Sequence, residues 1–336
     1  MSRRLIALGA ILFMLLSLAA CGGGGGSSSG GSQKYTIGVA LSTLTNPFFI
    51  AMDKGIRSEA TKKNVNLIET NANNDASTQI SQVEDLITKK VDLLILNPVN
   101  ADGIVPVVQQ ANKAKIPVIT VDRGSSSGQL VSFVETDNIA LGKEAVDYIA
   151  QALTKQYGSA KGKIVDLQGL RGTSPAENRE KGFLTELQKY PNISVVAVQA
   201  ADFDQEKAYN ITTDLLQAHP DINAIFCAND DTAIGATKSM QAAHRLYPIG
   251  DPKHITVIGI DGSEQALTDI RGGLLDATIS QNPLKEASTA IDEAVQYLSG
   301  KSVPGHVFYP SQLITADNIT SQQVKAYGLW GDEASH

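Results

Sequence analysis

The stretch IVPVVQQANKAKIPVITVDR, residues 104–123, decides the fold. Ile104, Val107, Val108 and Ala111 recur at the spacing of one helix face, and Lys115-Ile116-Pro117 ends that helix because proline fixes its φ and has no N–H to donate. The run Pro117 to Val121 follows without strict alternation, which is the pattern of a strand covered on both faces. Asp122-Arg123 then places two charged groups where strand gives way to loop. The same grammar extends in both directions. Apolar runs occur at Thr36 to Leu41, Val65 to Glu69, Val91 to Leu96, Lys163 to Leu167, Ser194 to Val198, Ala224 to Ala228 and Ile255 to Ile260. Segments of helical period lie between them. Asn46-Pro47 suits an N-cap followed by proline at the first helical position, with Phe49, Met52 and Ile56 on one face, and Ile80, Val83 and Ile87 repeat that spacing. Strand alternating with helix predicts a doubly wound α/β fold.

The pattern occurs twice, with four strands between residues 36 and 121 and four between 163 and 260, so two similar parallel-sheet lobes are predicted. A short strand at Val131 to Val134 and a long helix at Ile139 to Thr154 link them. Ala277 to Ile279, a helix from about Leu284 to Leu298 and an extended segment through Leu313 and Ile314 are too little for a third domain. They are expected to return and complete both lobes, making a hinge that the chain crosses several times.

The amino terminus has a different character. Arg3 and Arg4 precede the apolar segment Leu5 to Leu18, which is shorter than the roughly 20 residues of a membrane-spanning helix and reads as a signal peptide over residues 1–20. Leu18-Ala19-Ala20-Cys21 resembles the bacterial lipobox, which implies cleavage before Cys21 and diacylglyceryl attachment to its sulfur. Residues 21–33 then form a lipidated Gly/Ser tether, and the membrane is reached through the anchor alone. Loss of residues 1–20 removes two Arg and no acid, taking the net charge from −7 to −9 and arguing against a nucleic-acid partner. Cys227, in an apolar run with no His or second Cys nearby, reads as a buried core residue.

In open parallel sheets ligands lie beyond the carboxyl ends of the strands. Those ends carry Ser42 to Phe49, Asp122-Arg123, Gly172-Thr173-Ser174 leading to Arg179, Asp202-Phe203-Asp204, Asn229-Asp230-Asp231, Asp261-Gly262 and Gln281. Carboxylates, amides and guanidinium groups can bridge neighbouring hydroxyls, and a phenyl face packs on the C–H face of a sugar. Each residue also has a structural alternative. Asn46, Asp202 and Asn229 suit helix caps or turns, Asp122-Arg123 a surface ion pair, and Asp261-Gly262 a simple turn.

Taken together, Ser42 to Phe49, Ile116 to Arg123, Leu167-Gln168-Gly169, Ala201 to Asp204, Ala218 to Asp221, Asn229-Asp230 and Gly259 to Gly262 resemble the successive motifs of the periplasmic ribose-binding proteins, receptors of sugar-importing ABC transporters with the type I periplasmic binding protein fold. The resemblance runs from about Tyr35 to Leu313. It implies that Asn46, Phe48, Phe49, Asp122 and Arg123 of one lobe and Arg179, Phe203, Asn229 and Asp261 of the other bind a monosaccharide, ribose first, with Gln281 at a hinge. It also implies an N-terminal lobe of 34–136 plus about 282–311, a C-terminal lobe of 137–281 plus about 312–327, crossings near Thr136, Gln281 and Ser311, and a tail at 328–336. The implied partner is a membrane permease, and the implied state is an exported monomer without metal or cofactor; the lipid anchor, taken from Leu18 to Cys21, is unlike a freely diffusing periplasmic protein. Pro175 to Asn178 and Ala243 to Pro252 depart from the pattern, leaving room for receptors of fructose, xylose or galactose.

An exported sugar-processing enzyme is the competing class. His219, His244, His254, His306 and His336 form no HExxH motif, and no Walker A sequence or GxGxxG after the first strand is present. Gly124 to Gly128 and Gly26 to Gly30 match GxSxG, but neither follows a strand into a helix. Asp122 and Asp261 could imitate a glycosidase pair, yet Arg123 beside Asp122 is expected to favour its ionised form, whereas a general acid needs a raised pKa. A repressor of the same architecture would carry a helix-turn-helix in place of the leader.

Overall fold

The computed structural model describes residues 35–334; the predicted signal peptide, Cys21 and the Gly/Ser tether lie outside the described residues. Two six-stranded sheets form the body. The first uses β1 (Thr36–Leu41), β2 (Asn66–Asn71), β3 (Leu93–Leu96), β4 (Val118–Val121), β5 (Ser132–Thr136) and β11 (Val307–Tyr309), in the order β11-β5-β4-β3-β1-β2. The second uses β6 (Gly162–Gln168), β7 (Ile193–Ala200), β8 (Ala224–Cys227), β9 (Thr256–Asp261), β10 (Ala277–Ser280) and β12 (Gln312–Thr315), in the order β12-β10-β9-β8-β6-β7. The two orders are equivalent, strand for strand. All pairings are parallel except β10 with β12, which runs antiparallel because the chain returns from the first sheet.

Burial on both faces explains the unbroken apolar runs. In the first sheet Val39, Leu93, Ile95 and Ile119 face Met52 and Ile56 of α1 (Pro47–Lys62) and Ala287 and Ile291 of α9 (Pro283–Leu298). Ala40, Leu94, Leu96 and Val118 point the other way, onto Val83 and Leu86 of α2 (Ala76–Thr88) and Val107 and Val108 of α3 (Val105–Lys113). In the second sheet Ile164, Phe226, Ile258 and Ile260 meet Leu141 and Ile149 of α4 (Asn138–Tyr157) and Phe183 of α5 (Ser174–Leu187). Val165, Leu167, Ile225 and Cys227 meet Ala208 of α6 (Gln205–Ala218), Met240 of α7 (Asp230–Ala242) and Leu267 of α8 (Glu264–Arg271). Cys227 is free and fully buried, as its surroundings in the sequence predict.

The connecting segments differ in detail from the sequence reading. The linker strand lies at Ser132–Thr136 rather than Val131 to Val134, because Val307–Tyr309 pairs with Val134–Thr136 and extends it. The chain passes between sheets after Thr136, between Ser280 and α9, and between Tyr309 and Gln312. Beyond β12 come α10 (Gln322–Tyr327) and the short α11 (Trp330–Glu333). Residues 328–336 were expected to be a tail, but Trp330 is 2% exposed and packs in the core beside Phe48, since an indole of that area gains most by leaving water. Among the described residues no helix is long and apolar enough to cross a membrane, and no group of three His, Cys, Asp or Glu is placed to hold a metal ion.

Candidate functional site

A cavity of about 420 Å³ lies between the carboxyl ends of the two sheets, within the range of small-molecule sites. The first lobe contributes the start of α1. Asn46 caps it with extended backbone (φ −91°), its Oδ1 accepting the Phe48 N–H at 2.8 Å, and Pro47 occupies the first helical position. That cap sets Phe48 and Phe49 at the cavity wall, packed edge to face with centroids 5.4 Å apart. Asp122 and Arg123 follow β4. Asp122 takes a left-handed φ of +59°, unusual for a residue other than glycine, and Asn97 Nδ2 donates to its Oδ2 at 3.2 Å. Both side chains are buried, so the surface ion-pair alternative is excluded.

The second lobe supplies Arg179 from α5, Phe203 from the loop after β7, Asn229 at the N-cap of α7, and Asp261 at the end of β9. Arg179 is fixed from behind, its Nε donating to Asn138 Oδ1 at 2.8 Å and its Nη1 to the Ala228 carbonyl at 2.6 Å. Its remaining edge lies 4.0 Å from Asp261 Oδ1, which accepts Gln281 Nε2 at 2.8 Å. Asp202 and Phe203 both have left-handed φ, +56° and +61°, and Gly169 makes room for the ring: a Cβ there would stand 2.2 Å from Phe203 Cζ. The Phe203 ring faces Arg123 at 6.0 Å and Arg179 at 5.8 Å, and Arg123 lies 4.8 Å over Phe49. The Asp261-Gly262 turn rests on Asp230, whose carboxylate accepts the Gly262 and Ser263 N–H groups and the Thr278 hydroxyl.

All ten residues singled out in the sequence, Asn46, Phe48, Phe49, Asp122, Arg123, Arg179, Phe203, Asn229, Asp261 and Gln281, line this one cavity. Asp231, named among the strand ends but not in the binding set, lines it too, and the sequence reading missed the supports Asn97 and Asn138. Asp231 belongs to the strand end Asn229-Asp230-Asp231, whereas Asn97 and Asn138 carry no local signal.

Two buried guanidinium groups, Arg123 and Arg179, and two buried carboxylates, Asp122 and Asp261, therefore share the cleft. Burial raises the Asp122 and Asp261 pKa values, opposed by Arg123 and Arg179 for the first and by Arg179 for the second, and burial lowers Arg123 to about 10. The expectation that Arg123 would govern Asp122 is thereby corrected, because desolvation outweighs a guanidinium whose Nε is 3.9 Å away. Arg123 Nε and Gln281 Oε1 are buried without a hydrogen-bond partner among the described residues. An unmatched buried donor or acceptor costs about 1–3 kcal/mol, which a ligand bearing several hydroxyls would offset. The lobes also touch at the cleft mouth: Ala101 N–H donates to the Gly172 carbonyl at 2.8 Å and Gly124 N–H to Ser174 Oγ at 2.9 Å.

A family model described as periplasmic binding protein domain matches residues 37–302. The ribose import binding protein RbsB of Bacillus subtilis (strain 168) is 38% identical over 283 residues, 84% of this chain and 88% of that protein. A xylitol-binding protein of Mycolicibacterium smegmatis is 32% identical over 284 residues, 84% of this chain and 78% of the other. Among solved structures, a periplasmic solute-binding protein of an ABC transporter from Actinobacillus succinogenes, with bound D-allose, superposes with a TM-score of 0.76 at 31% identity, covering 84% of this chain and 98% of that one.

Proposed function

The chain belongs to the periplasmic binding protein domain family, and from that premise we propose that its cleft binds a monosaccharide, D-ribose first, by closure of the two lobes. It is the solute-binding component of a sugar-importing ABC transporter rather than an enzyme. The observation that carries the reading is the pairing of Asp122, Arg123, Arg179 and Asp261 with Phe48, Phe49 and Phe203 around one cavity at the sheet ends. Phenyl faces desolvate the C–H surface of a pyranose, while the charged groups make short, charge-assisted bonds to hydroxyls. Asn46, Asn229 and Gln281 supply amide contacts, and Gln281 stands where the chain crosses between lobes. Residues 34–136 with about 282–311 move as one lobe, and 137–281 with about 312–327 as the other.

The protein is exported and acts with a membrane permease of the transporter, which reads the closed form. Cys21 attaches a monomer to the membrane through lipid, and the Gly/Ser tether gives it reach. A thermal-shift panel of ribose, allose, xylose, arabinose, fructose, galactose, glucose and xylitol tests the assignment. Ribose at 100 times its dissociation constant should stabilise the protein by about 2.7 kcal/mol. A panel in which every sugar leaves the melting temperature unchanged while another solute raises it overturns the reading.

A further inference from the structure

We infer that Trp330 is a positioning residue of the sugar site, holding an aromatic wall of one lobe and a carboxylate-bearing strand end of the other in register; this rests on the receptor reading above. Trp330 is the only tryptophan in the chain, and it lies outside every motif that drew attention to the cleft. Its Nε1–H donates to the Asp261 carbonyl at 2.7 Å, the same oxygen that accepts the Gln281 N–H at 3.0 Å where the chain leaves the second sheet. Asp261 has a positive φ of +140°, a conformation an L residue keeps only when its surroundings impose it, and its side chain faces the cavity. The indole thus holds the backbone of a strained residue whose carboxylate is offered to the ligand.

The other side of the ring reaches the first lobe. It stands edge to face against Phe48, centroids 5.9 Å apart at 89°. Phe48 is in turn edge to face with Phe49, and Phe49 lies under the Arg123 guanidinium. The path Trp330, Phe48, Phe49, Arg123 is a continuous file of packed planar groups running into the cavity. A shift of the first moves the seat of the last.

The segment around Trp330 is tied to both lobes. Gly331 fits so closely against the turn after β9 that a Cβ would stand 2.5 Å from the Glu264 nitrogen and 2.7 Å from the Gly262 oxygen. Arg271 of α8 makes two bonds to Asp332, at 3.0 and 2.6 Å. On the other side Lys54 of α1 donates through Nζ to the Ala334 carbonyl at 2.5 Å. The last helix is therefore a strap across the lobe junction, with the indole as its inserted pin.

The test compares Trp330→Phe and Trp330→Ala with the unaltered protein, reading the D-ribose dissociation constant, the ribose off-rate and the apo melting curve. Trp330→Phe keeps a ring against Phe48 and loses the bond to Asp261, so affinity should fall by roughly tenfold, the loss of one buried hydrogen bond, mostly through a faster off-rate. Trp330→Ala should fall further, with the phenyl variant recovering part of the loss. Should the alanine variant fail to fold, the phenyl variant decides alone. A folded Trp330→Phe protein with ribose affinity and off-rate within twofold of the parent overturns the inference. An unaltered protein that binds none of the panel sugars overturns the receptor reading on which the inference rests.

Discussion

Asn46 and Asp231 clasp the two lobes across the cleft: Asn46 Nδ2 donates to Asp231 Oδ2 at 2.7 Å. One amide does two things here, since its Oδ1 is already committed to capping α1. The bond joins the first helix of one lobe to a helix start in the other, so opening the cleft must break it. Asp231→Ala should therefore speed ribose release while leaving association nearly unchanged. A loss of about 5- to 20-fold in affinity is expected for a half-buried bond to a carboxylate, checked by stopped-flow kinetics.

The same carboxyl gives a pH prediction. Burial, with Asp230 and Asp204 adding repulsion and Lys238 opposing, raises Asp231 from 3.8 to about 7. An acid raised on folding contributes least when ionised: its stability contribution is full below about 3.8, is lost as pH rises toward 7, and stays lost above. Asp231→Asn keeps an acceptor for Asn46 without the charge. Its melting temperature should exceed the parent's by more at pH 8 than at pH 5, and an equal difference at both contradicts the assignment.

Asp122 offers a charged acceptor from a left-handed backbone that asparagine also tolerates. Asp122→Asn should fold normally and bind ribose about 10- to 100-fold more weakly, the range for a hydrogen bond to a charged group. In the parent, acidification through the raised Asp122 and Asp261 pKa values should weaken binding, because the protonated forms surrender acceptors that the sugar hydroxyls need. Titrations at pH 8 and pH 5 check both points.

Phe203 depends on a glycine it does not adjoin in sequence. With a Cβ at Gly169 only 2.2 Å from the ring, Gly169→Ala must push the phenyl toward the cleft. Ribose binding should be lost or weakened by at least about tenfold while circular dichroism and the apo melt stay near those of the parent. Full affinity in the alanine variant would show that Phe203 does not form the wall of the sugar site.

Residue runs such as Val91 to Leu96 and Pro117 to Val121 disclosed the sheets because parallel strands are buried on both faces, and Asn46-Pro47 disclosed a helix start through local chemistry. The cleft was legible for a related reason: the fold places strand ends together, so residues such as Asp122, Phe203 and Asp261 could be picked out by position. Their supports could not. Asn138 grips Arg179 from 41 residues away, and Trp330 reaches Asp261 from 69. The first pairing comes from α4 packing against α5 within one lobe and the second from the segment that follows β12, and periodicity records neither. The balance of burial against Coulomb attraction at Asp122 was equally hidden, since a neighbouring arginine is visible in sequence and the burial of the carboxylate is not.

A calorimetric titration of the protein and its Phe203→Ala variant with D-ribose tests the central claim most directly. One saturable site per chain is expected in the parent, lost in a variant that still melts cooperatively without ligand. Absence of saturable heat with ribose and the other panel sugars, or an isotherm that the substitution leaves unchanged, would contradict it.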